Sequence, residues 1–257
     1  MRSINVHITN DCNFDCEVCF ENKDLDNPTY IDTNKLMLFI AAYKPNHVGF
    51  VGGEPLLHPD LPDILIELRV MGIHTCVVTN GELLNKANPI YPNNISIGID
   101  NDDQVEVDKW LANNKTVKNI EITITPTDIT KIDALIEKYK AYTINISLLA
   151  FWDKKLAVLK YITLEYIAKM KDLHKKNPSI KFFGDIDNID NFYGEAKSDR
   201  KSCCIAPLNI YPDGHLEYCD LCNAPLGQSI FTYDKDSLEK VWVEKPQCDS
   251  CSLRKLR

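Results

Sequence analysis

The sequence predicts an α/β fold: a parallel sheet of six strand–helix units, open or curled into a partial barrel, with a small cysteine-dense domain after it. Three observations carry the prediction. Strand-like and helix-like runs alternate, joined by short links, from Ile4 to about Asn177. The chain has 257 residues and is 44% apolar, enough for one large core and a small appendage. After Asn177 the alternation is lost, and Cys203, Cys204, Cys219, Cys222, Cys248 and Cys251 gather in the last quarter. The predicted organisation is a core over 1–177, a linker over 178–202 and a C-terminal domain over 203–257.

Ile4-Asn5-Val6-His7-Ile8-Thr9 is β-branched and alternating, the pattern of a strand. Asp32-Thr33 caps a helical pattern from Asn34 to about Lys44, because a short side-chain oxygen there accepts from a first-turn amide. His47 to Val51 reads as a short buried strand. Pro59 to Met71 is helical, and Gly72 stands where left-handed backbone closes a helix. Ile73 to Val78 is a strand and Thr79-Asn80-Gly81 a turn. The alternation continues with strand Ile95–Ile99, helix Asp103–Asn113, strand Asn119–Thr125, helix Asp128–Tyr139 and strand Thr143–Leu149. A further helix, Thr163 to Lys176, is stopped by Asn177-Pro178. Gly184 to Ser202 is polar and reads as linker, so Asp185, Asp187 and Asp190 are expected to be solvated rather than catalytic. Leu208–Tyr211 and Leu216–Tyr218 flank Pro212-Asp213-Gly214 as a hairpin, and a short helix is expected near Ser237–Val243. Ligands of parallel α/β sheets sit at C-terminal strand ends, and Cys12, Gly52 and Asn80 each follow such an end.

The net charge of −8, without concentrated Lys and Arg, argues against nucleic acid as a partner. No stretch has the length of a membrane span, and no cationic-then-apolar signal follows Met1. A cytoplasmic chain with no membrane partner is therefore expected. Its cysteines should stay reduced, which favours metal binding over a disulfide framework. Cys76, alone in the run Ile73-His74-Thr75-Cys76-Val77-Val78, is expected to be a small buried hydrophobe. His58 is expected to be structural and His215, past the hairpin turn, to be exposed. No Ser–His–Asp order, P-loop or dinucleotide fingerprint is present.

Cys12-x3-Cys16-x2-Cys19 places three thiolates just past the first strand. Three thiolates at this spacing can hold three corners of a cubane [4Fe–4S] cluster, which leaves the fourth iron open to a ligand. Structural zinc is the alternative, but it wants a fourth ligand, and no His or Cys follows until His47. Val51-Gly52-Gly53-Glu54-Pro55-Leu56-Leu57-His58-Pro59 follows the second strand. Its glycines let backbone approach a ligand closely, and its carboxylate and carbonyls can accept from an ammonium group.

Together, the cysteine motif after strand one and Gly-Gly-Glu-Pro after strand two resemble the radical S-adenosylmethionine (SAM) superfamily, over about residues 4–150. The resemblance implies that Cys12, Cys16 and Cys19 hold the cluster and that its open iron chelates the amino and carboxylate groups of SAM. It implies that Gly52, Gly53 and Glu54, with Pro55, receive the methionyl ammonium. Thr79-Asn80-Gly81 matches the family's turn after strand three, and Asp100, in Gly98-Ile99-Asp100, would lie near the ribose. The family usually has Ser-x-Asp there and an aromatic residue before the third cysteine, where this chain has Gly98 and Val18. Phe14 or Phe20 would then cover the adenine. The implied chemistry is reductive SAM cleavage to a 5′-deoxyadenosyl radical, which abstracts hydrogen from an unactivated C–H bond.

The C-terminal cysteines resemble the shortened, one-cluster (Twitch) form of the SPASM auxiliary domain. On that resemblance Cys204, Cys219, Cys248 and Cys251 hold a second [4Fe–4S] cluster. Cys219-x2-Cys222 with Cys248-x2-Cys251 also has the spacing of a zinc ribbon. Cys203 and Cys222 are surplus to the cluster; Cys222 is the candidate hydrogen-atom donor, with an inert thiol as its plainer role. Enzymes with such C-terminal domains mostly modify ribosomally made peptides, so a peptide is the first substrate expected. A small molecule follows, because little precedes strand one that would recognise a leader peptide, and the layout resembles the aminocyclitol dehydrogenase type. A radical epimerase and a non-catalytic zinc or cluster module are the remaining readings. A flavodoxin or ferredoxin is the expected electron donor.

Overall fold

The computed structural model describes residues 2–16, 19, 24–86, 89–99, 104–114, 119–148, 163–183, 208–217 and 225–233. Five strand–helix units come first. β1 (Ser3–His7) precedes α1 (Thr33–Tyr43), β2 (His47–Val51) precedes α2 (Leu61–Val70), and β3 (His74–Thr79) leads to β4 (Asn94–Ile99) and α3 (Val105–Asn113). β5 (Ile120–Ile124), α4 (Ile132–Tyr139), β6 (Thr143–Ser147), α5 (Leu164–Lys176) and β7 (Lys181–Phe183) follow. The C-terminal region adds β8 (Leu208–Ile210), β9 (His215–Glu217) and β10 (Pro225–Ser229). All join one mixed sheet in the order β10-β9-β8-β1-β2-β3-β4-β5-β6-β7.

Strands β1 to β7 pair in parallel in chain order, so every crossover advances in one direction. The right-handed rule then places the connecting helices on one face. Two apolar clusters fill that side. Leu36, Phe39 and Ile40 of α1 and Ile64, Leu65 and Leu68 of α2 pack with Ile4, Val6, Val48, Phe50 and Val77. Val107, Ile132, Leu135, Ile167 and Met170 pack with the isoleucines of β4, β5 and β6. Because strand residues alternate, their neighbours project to the opposite face. That face carries Asn5, His7, Cys76, Ser96, Glu121, Thr123, Asn145 and Ser147.

Local chemistry sets the helix ends. Asp32 accepts from Lys35 N at 2.9 Å to start α1, and Thr163 accepts from Tyr166 N at 3.1 Å to start α5. Gly72, at φ +73°, closes α2 as its position predicts. The sequence expectations fail at two places. Residues 181–183, inside the predicted linker, form β7 beside β6. The predicted hairpin exists as β8 and β9, but β8 pairs in parallel with β1, making it an extension of the main sheet. Three-residue strands are too short to show an alternation of their own. The expected helix near Ser237–Val243 lies outside the described residues. No helix among the described residues is long and apolar enough to cross a membrane.

Candidate active site

The chain leaves β1 at Ile8 and Thr9 and returns through Thr29 and Tyr30, closing the cysteine loop at its base. Thr9 and Tyr30 form an antiparallel bridge. Asn10 N donates to Thr29 O at 3.2 Å, Thr29 N to Asn10 Oδ1 at 2.6 Å, and Thr9 Oγ1 to Thr29 O at 2.9 Å. Tyr30 Oη donates to Asp11, the residue before Cys12; that bond, burial and the carboxylate's charge push the phenol up to about 12.

The Gly-Gly-Glu loop after β2 is bonded to this base. Gly53 N donates to Thr9 O at 2.8 Å and Glu54 N to Asp11 O at 2.7 Å. The glycines are explained by that approach of chain to chain. Gly52 sits at φ +126°, and a Cβ there would lie 2.4 Å from Thr9 O. A Cβ on Gly53 would lie 1.9 Å from Asp11 O. Close approach was legible in the two glycines; that the partner includes the cysteine loop was not.

Glu54 draws in the third element. Its Oε1 accepts from Leu56 N at 3.0 Å and from Thr79 Oγ1 at 2.7 Å, and its Oε2 accepts from Asn80 N at 2.9 Å. The residue is 1% exposed. Burial pushes its pKa up, against the pull of those three donors. Asn80 Nδ2 then donates to Asn13 Oδ1 at 2.9 Å, reaching into the cysteine loop itself. Pro55 is buried at the start of a short 3-10 turn, Pro55–Leu57. His58 is buried, with Nδ1 accepting from Asp60 N at 3.2 Å and Nε2 3.4 Å from Ile31 O, the structural role expected of it.

The structure therefore brings together Cys12, Gly52, Gly53, Glu54, Thr79 and Asn80. Cys12, Cys16 and Cys19 are half-buried and none is in a disulfide. Phe14 N lies 3.4 Å from Cys12 Sγ, an amide directed at sulfur of the kind that stabilises a ligating thiolate. Among the described residues no three His, Cys, Asp or Glu side chains converge as ligands of a single ion. The donor set fits a cluster, in which each thiolate takes a different iron. Asp100, Phe20, Cys203, Cys204, Cys219, Cys222, Cys248 and Cys251 lie outside the described residues.

Sequence reasoning missed Asp11 and Tyr30, whose roles depend on a contact across the loop base, and Asn13, whose role depends on the turn after β3. It also placed two residues differently. Cys76 is half-buried and lies on the polar face, not in the apolar core; burial and the charge of Glu121 push its thiol up to about 12. His215 is half-buried in a ring stack rather than exposed. The polar face was itself announced by Asn5/His7, Ser96/Gly98 and Glu121/Thr123. Parallel strands buried on both faces read as unbroken apolar runs, and these do not.

Residues 6–109 match the model of the Radical SAM superfamily. A GTP 3′,8-cyclase of Chlorobaculum tepidum is 35% identical over 91 residues, 32% of this chain and 27% of the relative. An S-adenosylmethionine-dependent nucleotide dehydratase of a Thermoplasmatales archaeon is 34% identical over 89 residues, 33% of this chain and 31% of the relative. The chain thus spans less than a third of each of these relatives. The crystal structure of Streptococcus suis SuiB bound to precursor peptide SuiA has a similar fold, with TM-score 0.63 and 16% identity, over 99% of this chain and 70% of that one.

Proposed function

We propose that this chain, whose residues 6–109 match the Radical SAM superfamily model, is a radical SAM enzyme that holds a [4Fe–4S] cluster on Cys12, Cys16 and Cys19, binds SAM beside it and activates a substrate C–H bond. The observation that carries the reading is the bracing of the cysteine loop by the Gly52-Gly53-Glu54 loop and the Thr79-Asn80 turn through Glu54 and Asn13. When bound, cluster and SAM supply a 5′-deoxyadenosyl radical. The chain's part is to place them. A carboxylate has about four acceptor sites, and the chain's own donors fill three on Glu54. The remaining one is directed to the methionyl ammonium. Asp100 serves the ribose and Phe14 or Phe20 the adenine.

In this reading residues 1–177 are the core of a partial barrel and residues 203–257 carry an auxiliary cluster on Cys204, Cys219, Cys248 and Cys251, with Cys222 a candidate hydrogen donor. A peptide is the substrate class put first, drawn from the Twitch-like cysteines and in keeping with the fold likeness to a protein bound to a precursor peptide. A small polar molecule is the second reading, favoured by the hydrogen-bonding residues of the sheet face opposite the helices. The test is anaerobic incubation of the reconstituted chain with SAM and a strong one-electron reductant. Release of 5′-deoxyadenosine supports the reading. Intact SAM from protein that holds four irons or more per chain overturns it.

A further inference from the structure

A second polar cluster lies on β1, β8 and β9, apart from the bracing network. Leu208, Ile210 and Leu216 pack into the helix-side core, so Asn209, Tyr211, His215 and Glu217 share the opposite face with Asn5 and His7. The rings of His7, Tyr211 and His215 stack in series, with centroids 4.4 and 4.3 Å apart. Tyr211 Oη donates to Glu217 Oε2 at 3.1 Å, and Asp213 pairs with Nδ1 of His215. His215 Nε2 is 3.6 Å from Glu217 Oε1, too far for a hydrogen bond. Glu217 is 8% exposed and Asn209 0%. By register Asn209 stands between Asn5 and Glu217. Neither Oδ1 nor Nδ2 of Asn209 has a hydrogen-bond partner among the described residues.

A buried amide with both its donor and its acceptor unmet destabilises a fold, and native proteins keep very few. Leucine would fill the same space without that cost. We propose that Asn209 and Glu217 form a recess that receives an amide group of the substrate, a peptide bond or a carboxamide side chain. An amide offers a donor and an acceptor side by side in one plane, the complement of Asn209's two free atoms. Asparagine reads the adjacent donor and acceptor of adenine by the same pairing. Glu217 Oε1 takes a further N–H. Vicinal hydroxyls would satisfy Asn209 with no such planar match. Both Asn209 atoms are shut off from solvent, so the amide reaches them only with a local rearrangement. The inference rests on the proposed peptide reading and deepens it.

The test is saturation-transfer NMR on the full, reconstituted, SAM-bound chain with N-acetylglycinamide as probe and propane-1,2-diol as control. Transfer to the amide and not to the diol, lost in Asn209→Leu and in Glu217→Gln, is expected. The Asn209→Leu apoprotein is expected to melt at or above the wild-type temperature, because an orphaned buried amide has been removed. Equal transfer in wild type and Asn209→Leu, transfer to the diol alone, or no transfer to either probe would overturn the recess. A lower melting temperature for Asn209→Leu would do the same, since the amide would then be structural. Release of 5′-deoxyadenosine by wild type is read separately and reports on the enzyme assignment alone.

Discussion

Glu54 shows how much one side chain can organise. Its carboxylate is the meeting point of the β2 loop, the end of β3 and the Asn80–Asn13 link to the cysteine loop. Glu54→Gln turns one acceptor into a donor facing Leu56 N, Thr79 Oγ1 or Asn80 N. A lost buried hydrogen bond of this kind costs roughly 1–3 kcal/mol, and apoprotein calorimetry should show a matching fall in melting temperature. Linkage adds a pH signature. Burial raises the folded pKa of Glu54 above its unfolded value, so the folded chain binds this proton more tightly. Wild type should therefore lose stability relative to Glu54→Gln as pH rises from the ordinary carboxylate range through the raised value. Cys76 gives an independent check on the polar face. With its thiol pushed up to about 12, only about one molecule in ten thousand is thiolate at pH 8, and thiolate is the reactive form. Iodoacetamide mapping of the apoprotein should label Cys12, Cys16 and Cys19 well before Cys76. Equal rates at Cys76 would contradict its placement. A sequence reading could not separate Cys76 from the core, because Val77 and Val78 hide which way one residue in an apolar run points.

At the scale of elements, the loop after β2 acts as a splint for the loop after β1. Gly53→Ala should abolish this, because its Cβ would sit on the carbonyl of Asp11. The expected outcome is a chain with near-wild-type far-ultraviolet circular dichroism that retains little iron after reconstitution. Full iron content in Gly53→Ala would show that the two loops do not depend on each other. The elements that the sequence made legible are those with strong local signals: α1 behind Asp32, α2 ahead of Gly72, α5 behind Thr163. The illegible ones are short and depend on long-range pairing. β7 is three residues held by β6, and β8 is three residues held by β1. Nothing local in Leu208-Asn209-Ile210 says that its neighbour is Ile4-Asn5-Val6, about two hundred positions earlier.

For the whole molecule, the sheet separates two tasks. Its helix-covered face supplies the apolar core, and its other face supplies hydrogen-bonding side chains from Glu217 and Asn209 across to Thr123 and Asn145. The bracing network stands at the C-terminal ends of β1, β2 and β3, where parallel α/β sheets present their ligands. Cysteine spacing and Gly-Gly-Glu-Pro made the site's position legible, whereas the Asn209 recess depends on the β8–β1 pairing and was not. The central claim is that the three N-terminal cysteines hold an iron–sulfur cluster required for SAM cleavage. The direct measurement is an iron and sulfide count, with 5′-deoxyadenosine assayed in parallel, on wild type and on the Cys12→Ala, Cys16→Ala, Cys19→Ala triple variant after anaerobic reconstitution. The account predicts about eight irons in wild type and about four in the variant, the ligand capacity of two cubanes and of one, with 5′-deoxyadenosine from wild type alone. Equal iron in the two proteins, or 5′-deoxyadenosine from the variant, would contradict it.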